Sequence, residues 1–285
     1  AEALAPAMIA LRRDIHAHPE LAFEETRTAG IVAAELARLS IPHRTGIGRT
    51  GVLGVIEGGR PGPTLAIRAD MDALPIAEET GLPFASRVAG KMHACGHDIH
   101  TVTLLGVAAV LRDIAPMLAG RVVLVFQPAE ETLEGAAAMI ADGAAEGIDL
   151  ALGFHNQPDM PAGRFGFARG ACLAASDRFD LEIRGRSGHA AHPYAAVDPI
   201  VAAAAFVAQA QTVVSREIKP IHPAVVTIGM LSAGTTYNII PERAHLKGTV
   251  RTLHADARNT AEAALRRLAE GIAVGMRVRC EMTYD

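Results

Sequence analysis

The order of the apolar segments constrains the fold of this chain most strongly. Short and nearly continuous apolar runs at residues 51–56, 64–73, 121–131 and 150–156 have the length of strands. Helical patterns lie among them, at residues 101–111 and 136–145. Strands that are apolar on both faces are typical of a parallel sheet covered by helices on both sides. We therefore predict an α/β unit with a mostly parallel sheet flanked by helices.

The residues before the first strand have a helical pattern. It covers residues 7–39 and is interrupted at the His18–Pro19 pair. Proline disfavours a helical conformation at the residue before it, so we expect two helices joined by a turn.

The pattern changes after Gly170. Strand-like alternation at residues 178–188 is followed by an alanine-rich helix, two strands, an amphipathic helix and a last strand, at residues 198–215, 224–234, 242–252, 256–275 and 277–285. The order β-α-β-β-α-β is that of the ferredoxin-like α+β arrangement. We predict two domains, residues 1–172 and 173–285.

Composition excludes several classes of function. A formal net charge of −4 argues against a nucleic-acid partner, which selects for a basic surface. The chain begins without a basic segment followed by an apolar core, so we expect no signal peptide, and no apolar run approaches the roughly 20 residues of a membrane span. The three cysteines are too few and too scattered for a disulfide framework, which favours a reducing compartment. We expect a cytoplasmic protein.

The segment "KMHACGHDIH", residues 91–100, concentrates metal-binding side chains in a chain rich in alanine. Cys95 and His97 sit just before a predicted helix, and thiolate and imidazole are good ligands for zinc and similar metals. A single C-x-H motif is also typical of a buried cysteine near a helix start. In either case Asp98 is expected to cap the helix.

Two glutamates follow the buried strand that ends in "QPAEE". The ends of parallel strands are where active sites of α/β proteins collect. In an extended segment Glu130 and Glu131 would point in opposite directions, so that one could bind metal while the other holds a proton. Alternatively, this is a solvated loop at the start of a helix, where acidic residues are favoured.

Other polar residues also lie at strand ends. His155 ends one apolar run, and Asp70 and Asp72 end another. A single histidine in such a place is often structural, and a carboxylate there can orient a ligand histidine from behind. Cysteine, histidine and carboxylate side chains thus coincide on one side of one sheet. Together they are the set that two divalent cations sharing a water require.

Seven segments together resemble one family: "IHAHPELAFEE", "RADMDALP", "HACGHDIH", "FQPAEE", "GFHN", "SGHAAHP" and "NIIPERAHLKGTVRT". In this order, over nearly the whole chain, they resemble the peptidase M20 amidohydrolases. The similarity is strongest to the branch of hippurate hydrolases, N-acyl-amino-acid amidohydrolases and auxin-conjugate hydrolases.

The resemblance implies roles for individual residues. The implied metal ligands are Cys95, His97, Glu131 and His155. Glu130 matches the general base, and Asp72 matches a residue behind the metal ligands. In the second domain, which matches a lid and dimerisation domain, His189 matches a residue that reaches the scissile carbonyl, in some relatives from the partner subunit. Asn238 and Arg251 match residues that hold the substrate carboxylate. From the sequence alone, His189 and Arg251 are also compatible with a turn residue and a solvated strand residue.

The resemblance further implies a reaction and its requirements. The expected activity is hydrolysis of the amide of an N-acyl amino acid to a carboxylic acid and a free amino acid. Two divalent ions per subunit are implied, Zn²⁺ or Mn²⁺ with Co²⁺ and Ni²⁺ as further candidates, together with a homodimer formed through the lid. Relatives extend further and gain a later metal-binding histidine. An alternative hypothesis is therefore a non-catalytic form that binds metal or dimerises through the lid domain.

Overall fold

The computed structural model describes residues 2–285, which form two compact units. The first unit ends at Ala162, and the second comprises Gly163–Asp285. The division thus falls at residue 162, where the sequence pattern placed it at residue 172.

The first unit contains four helices and five strands among its described residues. The helices are α1 (Ala5–His16), α2 (Thr26–Arg38), α3 (His97–Ile114) and α4 (Gly135–Ala141). The strands are β1 (His43–Ile47), β2 (Gly51–Glu57), β3 (Arg60–Asp70), β4 (Ala119–Gln127) and β5 (Leu150–Gly153). Each segment predicted for this unit is present. Strand β1 was not predicted, because three of its five residues are exposed and it lacks an apolar run.

The sheet of the first unit is mixed, where the sequence predicted a mostly parallel one. Its strand order is β1-β2-β4-β3-β5. Strands β4, β3 and β5 are mutually parallel, whereas β1 and β2 run antiparallel to their neighbours. Apolar runs indicate burial on both faces, which is typical of parallel sheets, but they do not fix the direction of each individual strand. The consequence for the site is that the carboxyl ends of β4, β3 and β5 lie side by side.

Helices cover both faces of this sheet. On one face, Val32 and Leu36 of α2 and Leu105 of α3 pack with Leu124 and Phe126 of β4. On the other face, a smaller cluster joins α4 to the sheet. These contacts fix the start of α3 near the carboxyl ends of the parallel strands.

Helix α3 is the longest helix of the unit. With the turn that follows it, His97–Met117, it is the one helix among residues 2–285 long and apolar enough, by length and composition, to cross a membrane. The sequence did not predict such a segment, because polar residues interrupt its apolar run. Its Leu104, Leu105 and Ala108 are buried in the core of the first unit.

The long elements of the second unit have the order that the sequence predicted, and the two-residue strands β7 and β9 were not predicted. Its elements are β6 (Ala175–Arg184), β7 (Gly188–His189), α5 (Pro199–Thr212), β8 (Ala224–Ala233), β9 (Ile239–Ile240), β10 (Arg243–Thr252), α6 (Ala255–Met276) and β11 (Arg279–Tyr284). The four long strands form an antiparallel sheet in the order β11-β6-β10-β8, and β7 pairs with β9.

The two helices of the second unit pack on one face of its sheet. Phe179, Leu181 and Leu246 point from the strands into a core with Phe206 of α5 and Leu265 of α6. The alternate residues of β6 and β10 are polar and lie on the other face. This period-two alternation is what made the strands recognisable in the sequence.

Candidate active site

The predicted metal-binding side chains of the first unit converge. Glu130 and Glu131 follow β4, His155 follows β5, and Cys95 and His97 lie at the start of α3. Cys95 Sγ is 3.4 Å from His155 Nε2, and ligand atoms of Cys95, His97 and His155 lie within 4.8 Å of one another. His97, Glu130 and Glu131 form a second such group. His97 belongs to both groups, which therefore adjoin.

Hydrogen bonds aim both histidines at the centre of this cluster. His97 Nδ1 lies 2.9 Å from the carbonyl oxygen of Asp72 and 3.2 Å from its Oδ1. His155 Nδ1 lies 2.7 Å from the carbonyl oxygen of Asn156. A carbonyl oxygen only accepts, so each Nδ1 carries a hydrogen, and in the neutral ring Nε2 keeps its lone pair for a metal.

The two glutamates approach the same atom, contrary to the expectation that they point in opposite directions. Glu130 and Glu131 each place a carboxylate oxygen 3.8 Å from His97 Nε2. They lie in a turn rather than in extended chain, because β4 ends at Gln127. The turn is tight: a Cβ on Gly135 would lie 1.6 Å from the carbonyl oxygen of Pro128, so only glycine fits there.

The charges of this cluster fit a cation. Burial, reinforced by the charge of Glu131, raises the pKa of the Cys95 thiol to about 12. Burial and the neighbouring Glu130 charge raise the pKa of Glu131. Burial lowers the pKa of His97, but the hydrogen bond to Asp72 and the charge of Asp70 outweigh it and raise that pKa. Besides burial, neighbouring carboxylates contribute to all three shifts, and a divalent cation would neutralise their negative charge.

Unpartnered atoms support the same fit. Among residues 2–285, His97 Nε2 and Glu131 Oε1 are buried polar atoms that have no hydrogen-bond partner. Both belong to the group that could hold an ion. Buried polar atoms are rarely left unpaired, so these two indicate a missing positive partner. Thiolate, imidazole and carboxylate together suit zinc and neighbouring divalent metals.

Asp72 lies behind the cluster, as the sequence predicted for it. One carboxylate oxygen faces His97 Nδ1, and the other accepts the backbone N–H of Glu131 at 2.9 Å. Its side chain is fully buried. It therefore links the residues that follow β3 to those that follow β4.

A second polar chain behind the cluster was not predicted. Asp70 accepts from His100 Nδ1 at 2.6 Å and pairs with Arg68 at 2.7 Å. Burial alone would raise the pKa of Asp70, but the hydrogen bond from His100 and the positive charges of His97 and Arg68 lower it to about 2. His100 Nε2 in turn accepts the backbone N–H of Asn156 at 3.0 Å. The spacing of His100 from His97, three residues along α3, was the one signal in the sequence.

Two further buried acids support the site from outside. Glu25 accepts the backbone N–H of Ala129 at 2.8 Å and thereby holds the turn that bears Glu130. The sequence predicted that Asp98 caps α3. It does not, because it is buried one position inside the helix. It instead contacts Arg12 and His16 of α1 at 2.6 Å and 2.9 Å. These contacts fix the start of α3 against the first helix.

Three predicted site residues lie in the second unit, and the structure brings two of them together. Strand β7, which ends at His189, pairs with β9, and the N–H of Ala190 donates to the carbonyl of Asn238. Arg251 is exposed near the opposite end of β10. From Arg243 it is eight residues along the strand, a span of about 27 Å. The β7–β9 pair continues from the Arg243 end of β10, so His189 and Arg251 of one chain lie toward opposite ends of that strand.

Comparison with known proteins gives the site its context. The profile of "Peptidase family M20/M25/M40" matches residues 66–277. The chain belongs to this family. It is 44% identical over 282 residues to an N-acetylcysteine deacetylase of Bacillus subtilis, covering 97% of this chain and 73% of that protein. It is 38% identical over 279 residues to an N-acyl-L-amino acid amidohydrolase of Geobacillus stearothermophilus, covering 98% and 75%.

A solved M20 structure agrees with the fold. It is a dinuclear metal-binding peptidase of the M20 family from Bacillus subtilis, which is 40% identical and superposes with a TM-score of 0.86 over 100% of this chain and 74% of that one. The predicted family and the predicted class of enzyme, a metal-dependent amidohydrolase, are confirmed. The helix-flanked α/β fold is also confirmed.

Proposed function

We propose that this M20 protein hydrolyses the amide bond of small N-acyl amino acids at the cluster in its first unit. The observation that carries the proposal is the convergence of Cys95, His97, Glu131 and His155 at adjoining strand and helix ends, with Glu130 beside them. The deacetylase and the amidohydrolase to which the chain is similar support an N-acetyl or related acyl group on an amino acid.

Cys95, His97, Glu131 and His155 would hold the divalent ions, and the dinuclear relative supports two per chain. When bound, such ions supply Lewis acidity that makes a water nucleophilic near neutral pH. The soft thiolate of Cys95 favours Zn²⁺, with Mn²⁺, Co²⁺ and Ni²⁺ as alternatives. We also place the protein in the cytoplasm, where a reducing environment keeps the Cys95 thiol free.

Glu130 is the better of the two glutamates for proton transfer. Its side chain is 34% exposed, against 23% for that of Glu131, so it is the more open to water. A carboxylate there can accept a proton from the attacking water and deliver it to the leaving amine. Glu131, with one oxygen buried and unpartnered, is the better ligand.

The second unit would bind the substrate. His189 Nδ1 accepts the backbone N–H of Ala191 at 3.1 Å, so the neutral ring carries its hydrogen on Nε2 and can donate it to the developing negative oxygen of the carbonyl. Asn238 lies beside it, and the planar guanidinium of Arg251 suits the substrate carboxylate. The separation of His189 from Arg251 along the sheet supports contributions from two chains to each site.

A homodimer through the second unit would supply those two chains. Strand β8 is an edge of its sheet, and Val225, Met230 and Leu231 on it are exposed. Next to it, Ile200 and Val201 of α5 are also exposed. An unpaired strand edge with apolar neighbours is a ready surface for pairing with a second copy.

Hydrolysis of N-acetyl and N-benzoyl amino acids, with Zn²⁺ or Mn²⁺ added, tests the activity. We expect Glu130→Gln to lower turnover by a factor of about 10² to 10⁴ while the metal content stays unchanged. The matched variant Glu131→Gln, one residue away with the same chemical change, should lose metal. Wild-type turnover in Glu130→Gln would contradict the role of the base. Tight metal binding without hydrolysis of any such substrate would favour the non-catalytic alternative.

Light scattering of the purified chain tests the dimer. Leu231→Lys places a charge on the β8 edge and should shift the protein to a monomer. Val274→Lys is the matched control, because Val274 on α6 is 83% exposed and lies away from β8. A wild-type monomer at micromolar concentration, or a dimer that is indifferent to Leu231→Lys, would contradict this interface.

A further inference from the structure

Asn156 makes three hydrogen bonds around the cluster of side chains proposed to bind metal. Its backbone N–H donates to His100 Nε2 at 3.0 Å, its Nδ2 donates to the carbonyl of Cys95 at 3.2 Å, and its carbonyl accepts from His155 Nδ1 at 2.7 Å. We propose that Asn156 is a positioning residue that holds Cys95 and His155 close enough together to bind one metal ion, with His100 as its anchor. The proposal rests on the proposed function, because it takes these two side chains as metal ligands.

The sheet alone does not hold His155 in place. It lies 60 residues after Cys95 and two residues after the end of β5, a four-residue edge strand whose residues are all exposed. Strand β5 pairs with β3 only as far as Gly153. Past that point, the hydrogen bonds of Asn156 connect the segment to the start of α3.

The side chain of Asn156 fits this place in shape, and its amide nitrogen is paired, whereas its Oδ1 is buried without a hydrogen-bond partner. Gly96 has a φ of +92°, and a Cβ on it would lie 2.8 Å from Asn156 Oδ1, so the amide packs directly on the Gly96 backbone. The Cys95 carbonyl only accepts, so the atom facing it has to be the amide nitrogen. Aspartate has the same shape but would place an oxygen against that carbonyl.

The anchor is fixed in one tautomer. His100 Nε2 receives a backbone N–H and therefore carries a lone pair, so Nδ1 carries the hydrogen that it donates to Asp70. Arg68 holds the other oxygen of Asp70. The chain from Arg68 through Asp70 and His100 to Asn156 thus runs from β3 to the residue after His155, behind the metal cluster.

Titration of the full chain with Co²⁺ tests the proposal, because the cobalt–thiolate charge-transfer band reports ligation by Cys95 independently of turnover. Asn156→Asp and Asn156→Ala should weaken Co²⁺ binding by about 10- to 100-fold and reduce the band at a given Co²⁺ concentration. Gln157→Ala, at the exposed neighbouring position, is the matched control and should bind as wild type does. Cys95→Ser should abolish the band.

A second pair of variants leaves the Asn156 side chain intact. His100→Gln offers an amide oxygen near the Nε2 position and can still accept the Asn156 N–H, whereas His100→Asn keeps a donor near Nδ1 and loses that acceptor. We expect His100→Asn to weaken Co²⁺ binding more than His100→Gln. Far-ultraviolet circular dichroism checks that each variant folds.

The outcomes separate the two proposals. Absence of the band in the wild type, or its persistence in Cys95→Ser, would overturn the metal centre itself. A wild-type band together with wild-type Co²⁺ affinity in folded Asn156→Asp, Asn156→Ala and His100→Asn would overturn the positioning role and leave the metal centre intact.

Discussion

Replacing Asp72 by asparagine should weaken metal binding by a calculable amount. Asp72 Oδ1 accepts from His97 Nδ1 at 3.2 Å, and Oδ2 accepts the N–H of Glu131 at 2.9 Å. Asparagine has a single side-chain acceptor, so in either orientation its NH₂ group faces one of the two donors. The orientation that keeps the Glu131 bond loses the bond from His97 Nδ1, which retains the backbone carbonyl of residue 72 at 2.9 Å, and it buries an NH₂ group against that donor, which costs about 1–3 kcal/mol.

Both donors belong to proposed metal ligands, so this energy should be lost from metal binding. Since about 1.4 kcal/mol corresponds to a factor of ten, the expected loss of affinity is about 5- to 150-fold. That agrees with the loss of about 10- to 100-fold typical when residues behind metal ligands are changed.

Chelator competition with Zn²⁺ gives the affinities directly. Asp142→Asn is the matched control, because Asp142 accepts one N–H, that of Gly48 at 2.7 Å, and asparagine can still accept it. Thermal unfolding of the metal-free variants would show whether the change also loosens the fold. A Zn²⁺ affinity of Asp72→Asn equal to that of the wild type would refute the reasoning.

The further predictions concern the stability of the fold and its dependence on bound metal. Gly96→Ala should weaken Co²⁺ binding and destabilise the chain by about 1–3 kcal/mol, as measured by denaturant unfolding, because its φ is +92° and its Cβ would press on Asn156. Burial raises the pKa of Glu25, so the contribution of Glu25 to the free energy of unfolding falls as pH rises through that pKa. Urea unfolding should therefore show that Glu25→Gln is at least as stable as the wild type at pH 7. Glu25→Ala, which leaves the N–H of Ala129 unpaired, should lose about 1–3 kcal/mol in the same assay. At a free metal concentration of 100 times its Kd, bound metal should add about 2.7 kcal/mol to the free energy of unfolding. Its removal by a chelator should therefore lower the Tm.

The convergence of the proposed metal-binding residues could be predicted because their positions are local features of the sequence. Glu131 and His155 follow apolar runs, and Cys95 and His97 precede a helical pattern. Parallel strands place such positions at one edge of a sheet, so convergence followed from the expectation that these strands are parallel. The mixed sheet did not undo this prediction, because the antiparallel strands β1 and β2 carry none of these side chains.

The residues that orient the ligands could not be predicted in the same way. The contact of His100 with Asp70 joins positions 30 residues apart, and that of Asn156 with His100 joins positions 56 apart. Neither contact has a sequence period: the first depends on α3 packing against β3, and the second on β5 lying next to β3. A histidine three residues from a ligand is compatible with a core position, a surface position or a second ligand, and only the packed structure decides among them.

The second unit shows the same distinction at the level of whole elements. Its element order was predictable because strands β6, β10 and β11 alternate polar and apolar residues, but the alternation does not state how far apart two strand ends lie. The register of the strands gives this separation. His189 and Asn238 lie at the β7–β9 pair beyond one end of β10, and Arg251 lies near the other end of β10. A substrate about the size of an N-acyl amino acid is much shorter than the roughly 27 Å length of that strand. If all three side chains contact one substrate, two chains have to supply them, and substrate binding is then a property of the dimer, whereas the metal cluster is built within a single unit.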